Sequence, residues 1–362
     1  MNLLSREFLS VVAATCALTA HGSAEVLLVP KQHATIQAAI DASSPGDTIR
    51  VAAGTYTEAP SFLAKPDRAL IGVGKVILDA NGATNGITIV NSPFVAIENV
   101  RIRDAASDGI LIELSSSNAS VRKVVVEACV DDGIESSADG VSLIGVVVKQ
   151  VGDVGVFCDG PQSYLRDLKV LNNGGRGIVV GGARTIVSRC KVTASDGDGI
   201  AVLGSDSDNV VSECDVRDAS GHSLWVASAT SANLVRRSRV RDASTTALRA
   251  HGLGTVLIGN TVRDGTLVGI DCLDDVLACG NTATNFAGPA AYRIQATCDA
   301  GVHANNVAKK SGVDGFLVES GADGNLITRN RSTDAKTGFD LHDAATPGAN
   351  VVLGNQFKKT DP

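Results

Sequence analysis

Side chains that can carry acid–base chemistry recur at regular intervals in the C-terminal half of the chain. Arg249, Asp271 and Arg293 are spaced by 22 residues. Imidazole and carboxylate groups can move a proton, and arginine can neutralise a substrate carboxylate and stabilise the charge that develops on it. The candidate catalytic residues are Arg249, His251, Asp271, Arg293, Asp340 and His342, and the candidate substrate-binding residues are Phe157, Trp225 and Glu319. The same side chains could instead form a ladder of surface ion pairs without a catalytic role.

These residues belong to a repeat that covers most of the chain. A Gly-Ile pair, as in Gly109-Ile110 and Gly199-Ile200, or a close variant of it recurs every 22 to 24 residues. The twelve repeat positions are Gly86, Gly109, Gly133, Gly155, Gly177, Gly199, Ser223, Ala247, Gly269, Ala291, Gly315 and Gly338. A fixed period of this length is typical of a solenoid.

The residue types within each repeat unit indicate which kind of solenoid the chain forms. Two short runs rich in β-branched residues, such as 110–112 and 100–102, are separated by Gly, Asn, Ser and Asp, which favour tight turns. No unit holds a helix-length periodic segment or the frame of a leucine-rich repeat. The sequence therefore predicts an all-β protein, a single-stranded right-handed parallel β-helix of about 12 coils.

Strand alternation predicts which side chains face outward in each coil. The residues one and three positions after the repeat glycine are mostly apolar and are predicted to point inward. The residue two positions after it is predicted to point outward, which places Arg249, Asp271, Arg293 and Asp340 on one face. Phe157, Val179, Ala201 and Trp225 would form an exposed apolar strip on the same face, where an oligomer interface could form.

The N-terminal region divides into a predicted signal peptide, a cap and the repeats. Residues 1–24 combine Arg6, an apolar stretch and the small residues Gly22-Ser23-Ala24, so we expect export to a secreted, periplasmic or cell-surface location. Residues 25–79 are predicted to form a capping helix at 35–42 and the first coils, with a strand at 48–51 that ends at 54–56. Residues 80–362 form the repeats.

The cap carries a resemblance to a known group of proteins. Residues 35–41, followed by 46–51 and 54–56, resemble the opening of the pectin-lyase-like superfamily. This resemblance implies a β-helix that binds or acts on extracellular polysaccharide, as a lyase or C5-epimerase of acidic glycans, or a non-catalytic surface rod. Residues 340–343 are similar to the Asp-Pro-His-Asp signature of mannuronan C5-epimerases, with Leu341 in place of proline and a position on the last coil.

Composition limits the partners and cofactors. The net charge of −7 gives no basic patch that would bind nucleic acid. Outside the predicted signal peptide, no apolar segment is long enough to insert into a membrane. The seven cysteines of the mature chain lack metal-binding spacing, so no cofactor is predicted, although aspartate pairs such as Asp131-Asp132 could supply calcium ligands. The repeated Arg-Asp pairs at 217–218, 241–242 and 263–264 are predicted to be solvent-facing structure.

Overall fold

A computed structural model describes residues 23–204, 208–227 and 232–360, and it contains the predicted parallel β-helix. Residues 1–22 of the predicted signal peptide lie outside the described residues. In the described part of the chain, no helix has the length and apolar character that crossing a bilayer requires. The chain winds as a right-handed coil of short strands, and each strand pairs in parallel with its counterparts in the coils before and after it.

The strands stack into three long sheets, which we call the glycine sheet, the second sheet and the third sheet. The glycine sheet follows the repeat glycines and has thirteen strands: Ser61–Leu63, Ile87–Val90, Ile110–Ile112, Ile134–Ser136, Val156–Cys158, Ile178–Val180, Ile200–Val202, Leu224–Val226, Leu248–His251, Ile270–Leu273, Ala290–Ile294, Asp314–Val318 and Leu341–Asp343. It has one strand more than the twelve repeat positions because Ser61–Leu63 precedes the first of them.

The second sheet follows in each coil. Its strands are Val26–Val29, Ala96–Glu98, Ser120–Arg122, Ser142–Ile144, Tyr164–Arg166, Ile186–Ser188, Val210–Ser212, Leu234–Arg236, Val256–Ile258, Leu277–Cys279, Val302–Ala304, Leu326–Thr328 and Val351–Leu353. The third sheet completes the coil with Arg101–Arg103, Val125–Glu127, Val147–Lys149, Lys169–Asn173, Lys191–Ser195, Asp215–Arg217, Arg239–Ala243, Thr261–Gly265, Thr282–Phe286, Val307–Ser311 and Arg331–Thr333.

Two long strands, Thr48–Tyr56 and Ala69–Asp79, join the second and third sheets at the N-terminal end. The first of these strands ends at Tyr56, within the predicted 54–56, but it is longer than the predicted 48–51. The strand continues through Tyr56 after a register shift between Ala52 and Gly54. This irregularity lets one strand bend from one sheet into the next.

The repeat glycine is required by close packing between successive coils. A Cβ atom at Gly109 would lie 2.6 Å from the carbonyl oxygen of Gly133 in the next coil, and it would also collide with the side chain of Val126. A real Cβ atom does not approach a carbonyl oxygen so closely. Only Gly, or a small residue such as Ala247 with a slight adjustment, fits this corner, and this explains why the period is visible in the sequence.

The predicted capping helix is present as Ile36–Ala42. The side chain of Thr35 caps its N-terminus by accepting a hydrogen bond from the backbone N–H of Ala38 at 3.1 Å. Ile36, Ala39 and Ile40 are buried, as the amphipathic pattern predicts. The helix therefore covers the open N-terminal end of the core, which would otherwise be exposed to water.

Inward-facing asparagines form a ladder through the C-terminal coils, at the corner between the second and third sheets. Asn281 donates from Nδ2 to the carbonyl of Leu257 and to Oδ1 of Asn306, both at 3.0 Å, and it accepts from the backbone N–H of Asn260 at 2.9 Å. Asn306 repeats this pattern with Asn330. The side-chain amides thus satisfy backbone groups that the turn leaves unpaired inside the protein.

Replacing Asn281 by alanine is expected to lower the free energy of unfolding by about 3 kcal/mol, because it leaves buried donors and acceptors unpaired. The matched control is Asn305→Gly, since Asn305 is exposed and has a positive φ of 55° that glycine adopts easily. The control should change stability by less than about 0.5 kcal/mol. Urea denaturation measures both values, and equal losses in the two variants would contradict a structural role for the ladder.

The last coil departs from the predicted register by two residues. Leu341 pairs with Phe316, so Asp340 rather than Gly338 occupies the glycine position. Asp340 is only 2% exposed, and its carboxylate accepts the backbone N–H groups of Lys358 and Lys359 at 2.9 and 3.2 Å. The prediction that Asp340 faces outward is therefore wrong. Above this corner lies the end of the described chain rather than a regular glycine-sheet strand: the backbone N–H groups of Asp340 and Leu341 donate to the carbonyl of Lys359, and Leu341 forms an isolated bridge with Thr360.

The cysteines of the described residues are unpaired thiols. Cys158 and Cys272 are fully buried, as their inward positions predict. Cys190 and Cys214 occupy matching positions in adjacent coils, and both donate to nearby carbonyl groups, such as those of Ser188 and Ser212 at 3.4 Å. Sulfur at these positions acts as a small apolar core atom.

Candidate functional site

The carboxylate of Asp271 is the centre of a polar cluster on the outer face of the glycine sheet. Arg293 donates to its two oxygens from Nε at 2.7 Å and from Nη2 at 2.8 Å. Gln295 donates to the same oxygens at 2.8 and 2.7 Å, and Arg249 Nε lies 3.8 Å from Oδ2. Asp271 is 0% exposed among these side chains, so the expectation that it is open to a substrate is wrong. The buried carboxylate instead orients the guanidinium group of Arg293 through two hydrogen bonds, and it lies within ion-pair distance of Arg249.

Arg293 connects this centre to the next coil. Its Nη1 atom lies 3.5 Å from Oε1 of Glu319. The hydrogen bonds to Asp271 raise the pKa of Arg293 above its usual value, and this effect exceeds the opposing effect of burial. The guanidinium group therefore stays charged, and its side chain is 23% exposed, which leaves a face available to an anion.

His222 extends the cluster toward the preceding coil. Its Nε2 atom lies 3.2 Å from Arg249 Nη1, and its backbone N–H donates to Asp198 at 2.7 Å. Burial lowers the pKa of His222, and the charge of Arg249 lowers it further, against the opposing effects of Asp198 and Asp271. A neutral, half-buried imidazole beside an arginine can accept a proton from a bound molecule.

Trp225 provides an aromatic surface beside His222. The two rings pack edge to face, with centroids 5.5 Å apart. Phe157 is also partly exposed, but Val179 and Ala201 between them are 2% and 0% exposed. The predicted exposed apolar strip is therefore wrong in its middle part. The reason is geometric, since each of these small side chains neighbours a large ring, Ala201 beside Trp225 and Val179 beside Phe157.

Three of the predicted catalytic residues lie outside this cluster. His251 is next to Asp274, with Nε2 and Oδ2 at 3.5 Å. His342 contacts Asp314 at 3.1 Å in the last coils of the rod. Asp340 is buried and fixes the C-terminal segment, as described above. The structure thus brings together Arg249, Asp271, Arg293, Glu319 and Trp225 from the prediction, and it adds His222 to them.

A second group of titratable side chains lies toward the N-terminal end of the glycine sheet. Oxygens of Asp108, Asp132 and Glu135 are all within 4.8 Å of one another. Burial raises the pKa of Asp132 to about 7, and the neighbouring carboxylates of Asp131, Asp108 and Asp153 raise it further, against a hydrogen bond from a backbone N–H. Such oxygens could share protons or hold a cation such as calcium, the metal that the aspartate pairs suggest.

Sequence reasoning missed His222 and Asp108, and it considered Asp132 only as part of a possible calcium-binding pair, because all three precede the repeat glycine. Strand alternation predicts the direction only of the side chains that follow this glycine. The missed signal is a column formed by the residue before each glycine, which reads Asp108, Asp132, Val154, Arg176, Asp198 and His222 in successive coils. Residues that occupy the same corner in successive coils of a solenoid lie side by side in space.

The fold and part of the sequence match known proteins. Residues 132–287 match the family model described as right handed beta helix region. No curated protein sequence matches the chain significantly. Solved structures with this fold share low sequence identity with the chain, and at such identity they show the fold alone.

Three of these structures match the chain over 67% to 90% of its length. The catalytic domain of a GH87 alpha-1,3-glucanase in complex with tetrasaccharides has a TM-score of 0.55 and 10% identity, over 87% of this chain and 65% of that domain. The A-module of the mannuronan C-5 epimerase AlgE6 from Azotobacter vinelandii has a TM-score of 0.41 and 15% identity, over 90% of this chain and 94% of that module. Tailspike protein 2 from the Escherichia coli O157:H7 bacteriophage CAB120 has a TM-score of 0.45 and 12% identity, over 67% of this chain and 40% of that one.

The chain is a right-handed parallel β-helix protein. This is the fold that its resemblance to the pectin-lyase-like superfamily implied. The chain spans less than two thirds of the tailspike and of the glucanase domain.

Proposed function

We propose that the protein binds an acidic polysaccharide along the glycine sheet and removes the proton at C5 of a uronate residue, the first step of a lyase or a C5-epimerase. The observation that carries this proposal is the continuous contact from His222 through Arg249 and Asp271 to Arg293. It places a base with a lowered pKa beside the guanidinium group of Arg249, which Asp271 connects to that of Arg293, on a partly open face. These are the groups that proton removal next to a carboxylate requires.

Each residue of the cluster has a role in this proposal. Arg249 and Arg293 bind the uronate carboxylate and stabilise the negative charge that it gains when the C5 proton leaves. Arg249 then turns from Nε2 of His222 toward the substrate carboxylate, which frees the imidazole to take the proton. Asp271 holds the arginines in position but does not touch the sugar. In a lyase the electron pair from C5–H forms the C4–C5 double bond, and the glycosidic oxygen leaves C4 with a proton from water.

The aromatic residues and the predicted export support a polysaccharide partner. Trp225, beside His222, and Phe157, further along the face, offer apolar surfaces for sugar rings. The glucanase domain that shares this fold was solved with tetrasaccharides. The predicted signal at residues 1–24 would place the protein where extracellular polysaccharides occur.

Proton NMR in D₂O tests this proposal. The mature chain, residues 25–362, is incubated with a panel of uronate polysaccharides, with and without calcium, and the loss of the C5 proton signal or the appearance of unsaturated products is followed. Arg249→Ala is expected to lower the rate by about 10²-fold or more, because an electrostatic contact to the developing charge is lost. The control is Arg189→Ala, which removes an exposed arginine that pairs with Asp167 between the other two sheets.

The same experiment tests a second function, that of a non-catalytic rod that binds polysaccharide. The observation in its favour is the regularity of the coils, which leaves short connections beside the glycine sheet and no deep cleft among the residues described around Asp271. Binding of a polyuronate without any exchange at C5 would favour the rod. Equal rates for Arg249→Ala and Arg189→Ala would contradict the proposed role of the cluster.

A further inference from the structure

Cationic side chains concentrate on the outer face of the third sheet, away from the cluster around Asp271. Arg217, Arg241 and Arg263 are in register on three adjacent strands. Neighbouring strands are about 4.8 Å apart, so the guanidinium groups form a ladder parallel to the rod axis. A second column beside it carries Lys191, Asp215, Arg239 and Thr261 on successive strands.

The positive charge of this face is only partly neutralised. Asp215 is the one carboxylate among these two columns, and it binds Arg241 at 2.8 Å and Arg217 at 3.0 Å. Arg263 lies 3.6 Å from Asp264, the next residue of the same strand, and both side chains are about half exposed. Arg239 makes no ion pair within 4 Å among the described residues, and its side chain is exposed. Stacked guanidinium groups repel one another, and this repulsion would be relieved by a further anion.

The two columns enclose a shallow depression. Its volume is about 280 Å³, and it is lined by Arg239, Val240, Arg241, Thr261 and Arg263. Three of these five residues are arginines, whose planar groups bind carboxylate or sulfate oxygens with two parallel hydrogen bonds. The depression is thus suited to the acidic substituent of a ligand, and the ladder is suited to a ligand that continues along the rod.

We propose that this face of the third sheet is a second binding site, for a linear polysaccharide that carries carboxylate or sulfate groups. The site is separate from the glycine sheet and does not depend on the reaction proposed there. The arginine repeat was predicted from the sequence to be only solvent-facing structure, but the depression and the unpaired Arg239 assign it a ligand. A polysaccharide is favoured over a nucleic acid because no aromatic side chain lines the depression, and single strands are usually held by stacking on such rings.

Fluorescence anisotropy with labelled polymers tests the site. The probes are dextran sulfate, a polyuronate and neutral dextran, and the variant is Arg239→Gln combined with Arg263→Gln. Wild type is expected to bind both acidic polymers but not neutral dextran. The double variant should bind dextran sulfate about tenfold more weakly, and its affinity should depend less steeply on salt concentration, because fewer counterions are released.

The control variant is Arg184→Gln, which removes an exposed arginine from the turn between the glycine sheet and the second sheet. It should bind dextran sulfate as wild type does. An unchanged thermal midpoint in all variants shows that they are folded. The proposal is overturned if wild type does not bind the acidic polymers, if the double variant binds as tightly as wild type, or if Arg184→Gln loses as much affinity. A labelled single-stranded oligonucleotide and anionic lipid vesicles are added as further probes, and binding confined to either of them would also overturn the proposal.

Discussion

His222→Gln is expected to lower the rate of C5 proton exchange by a factor of about 10² to 10⁴, the usual contribution of a general base. Glutamine keeps a polar side chain of similar reach but cannot take up the proton. Binding of the polysaccharide should change little, because Arg249 and Arg293 still hold the uronate carboxylate. The expected result is therefore a fall in kcat with a nearly constant KM.

The pH dependence distinguishes a base from a residue that only supports the site. Burial and the charge of Arg249 lower the pKa of His222, so the imidazole is neutral and able to accept a proton over a range that extends below its ordinary pKa. The rate in wild type should then fall only on the acidic side of pH 6.5, where an unperturbed histidine titrates. In Arg249→Lys a cation remains beside the imidazole, and the acidic limb of the profile should be kept.

His251 supplies the sharpest comparison for this prediction. It lies one coil further along the same sheet and was predicted from the sequence to be catalytic, but it contacts Asp274 rather than the cluster. We expect the loss in His222→Gln to exceed that in His251→Gln by at least about 10². A loss confined to His251→Gln would move the role of base to His251, and equal small losses would contradict proton removal by either histidine.

The fold could be predicted from the sequence because one steric rule repeats in nearly every coil. The corner occupied by Gly109 and its equivalents cannot accept a Cβ atom while another coil packs on it. The period therefore appears directly in the amino acids. In the last coil, where only an isolated bridge to Thr360 lies above the strand, Asp340 occupies the corner that the sequence assigned to Gly338.

The site could be predicted only in part because alternation gives the direction of a side chain but not its surroundings. Arg249, Asp271 and Arg293 do lie on the predicted face, and their order along the rod follows from the repeat. The burial of Asp271 depends on Arg293 and Gln295 folding over it, and this requires knowledge of side-chain conformations. The spacing of residues after the glycine could not identify His222, which belongs to the corner before it.

The second large effect that we expect is a loss of stability in acid that depends on His303. His303 is 0% exposed in the core, and the hydroxyl of Tyr292 lies 2.8 Å from its Nδ1 atom. Burial lowers the pKa of His303 to about 3, although Asn325 opposes this shift. The unfolded chain would bind a proton below the ordinary histidine pKa of 6.5, whereas the folded chain stays neutral until about pH 3.

The direction of the effect follows from this difference in bound protons. Between pH 6.5 and pH 3 the unfolded state holds one proton more at this residue, so the free energy of unfolding falls as the pH falls. Through His303, the free energy of unfolding falls by about 1.4 kcal/mol for each pH unit, which amounts to about 3 kcal/mol between pH 7 and pH 4. Asp132 acts in the opposite direction, because its pKa is raised to about 7 in the folded state and it takes up its proton there first. The stability of wild type is therefore flatter with pH than either residue alone would make it.

Two variants separate the protonation of His303 from its hydrogen bond with Tyr292. In His303→Gln the contribution of His303 is removed, so the difference in unfolding free energy between variant and wild type should shrink by about 3 kcal/mol from pH 7 to pH 4. Tyr292→Phe removes the hydrogen bond but keeps the buried imidazole, so it should lower stability by about 1 kcal/mol at both pH values and preserve the slope. Urea denaturation at several pH values measures both. A constant difference between His303→Gln and wild type would show that the imidazole binds its proton equally in both states, and burial would then not control its charge.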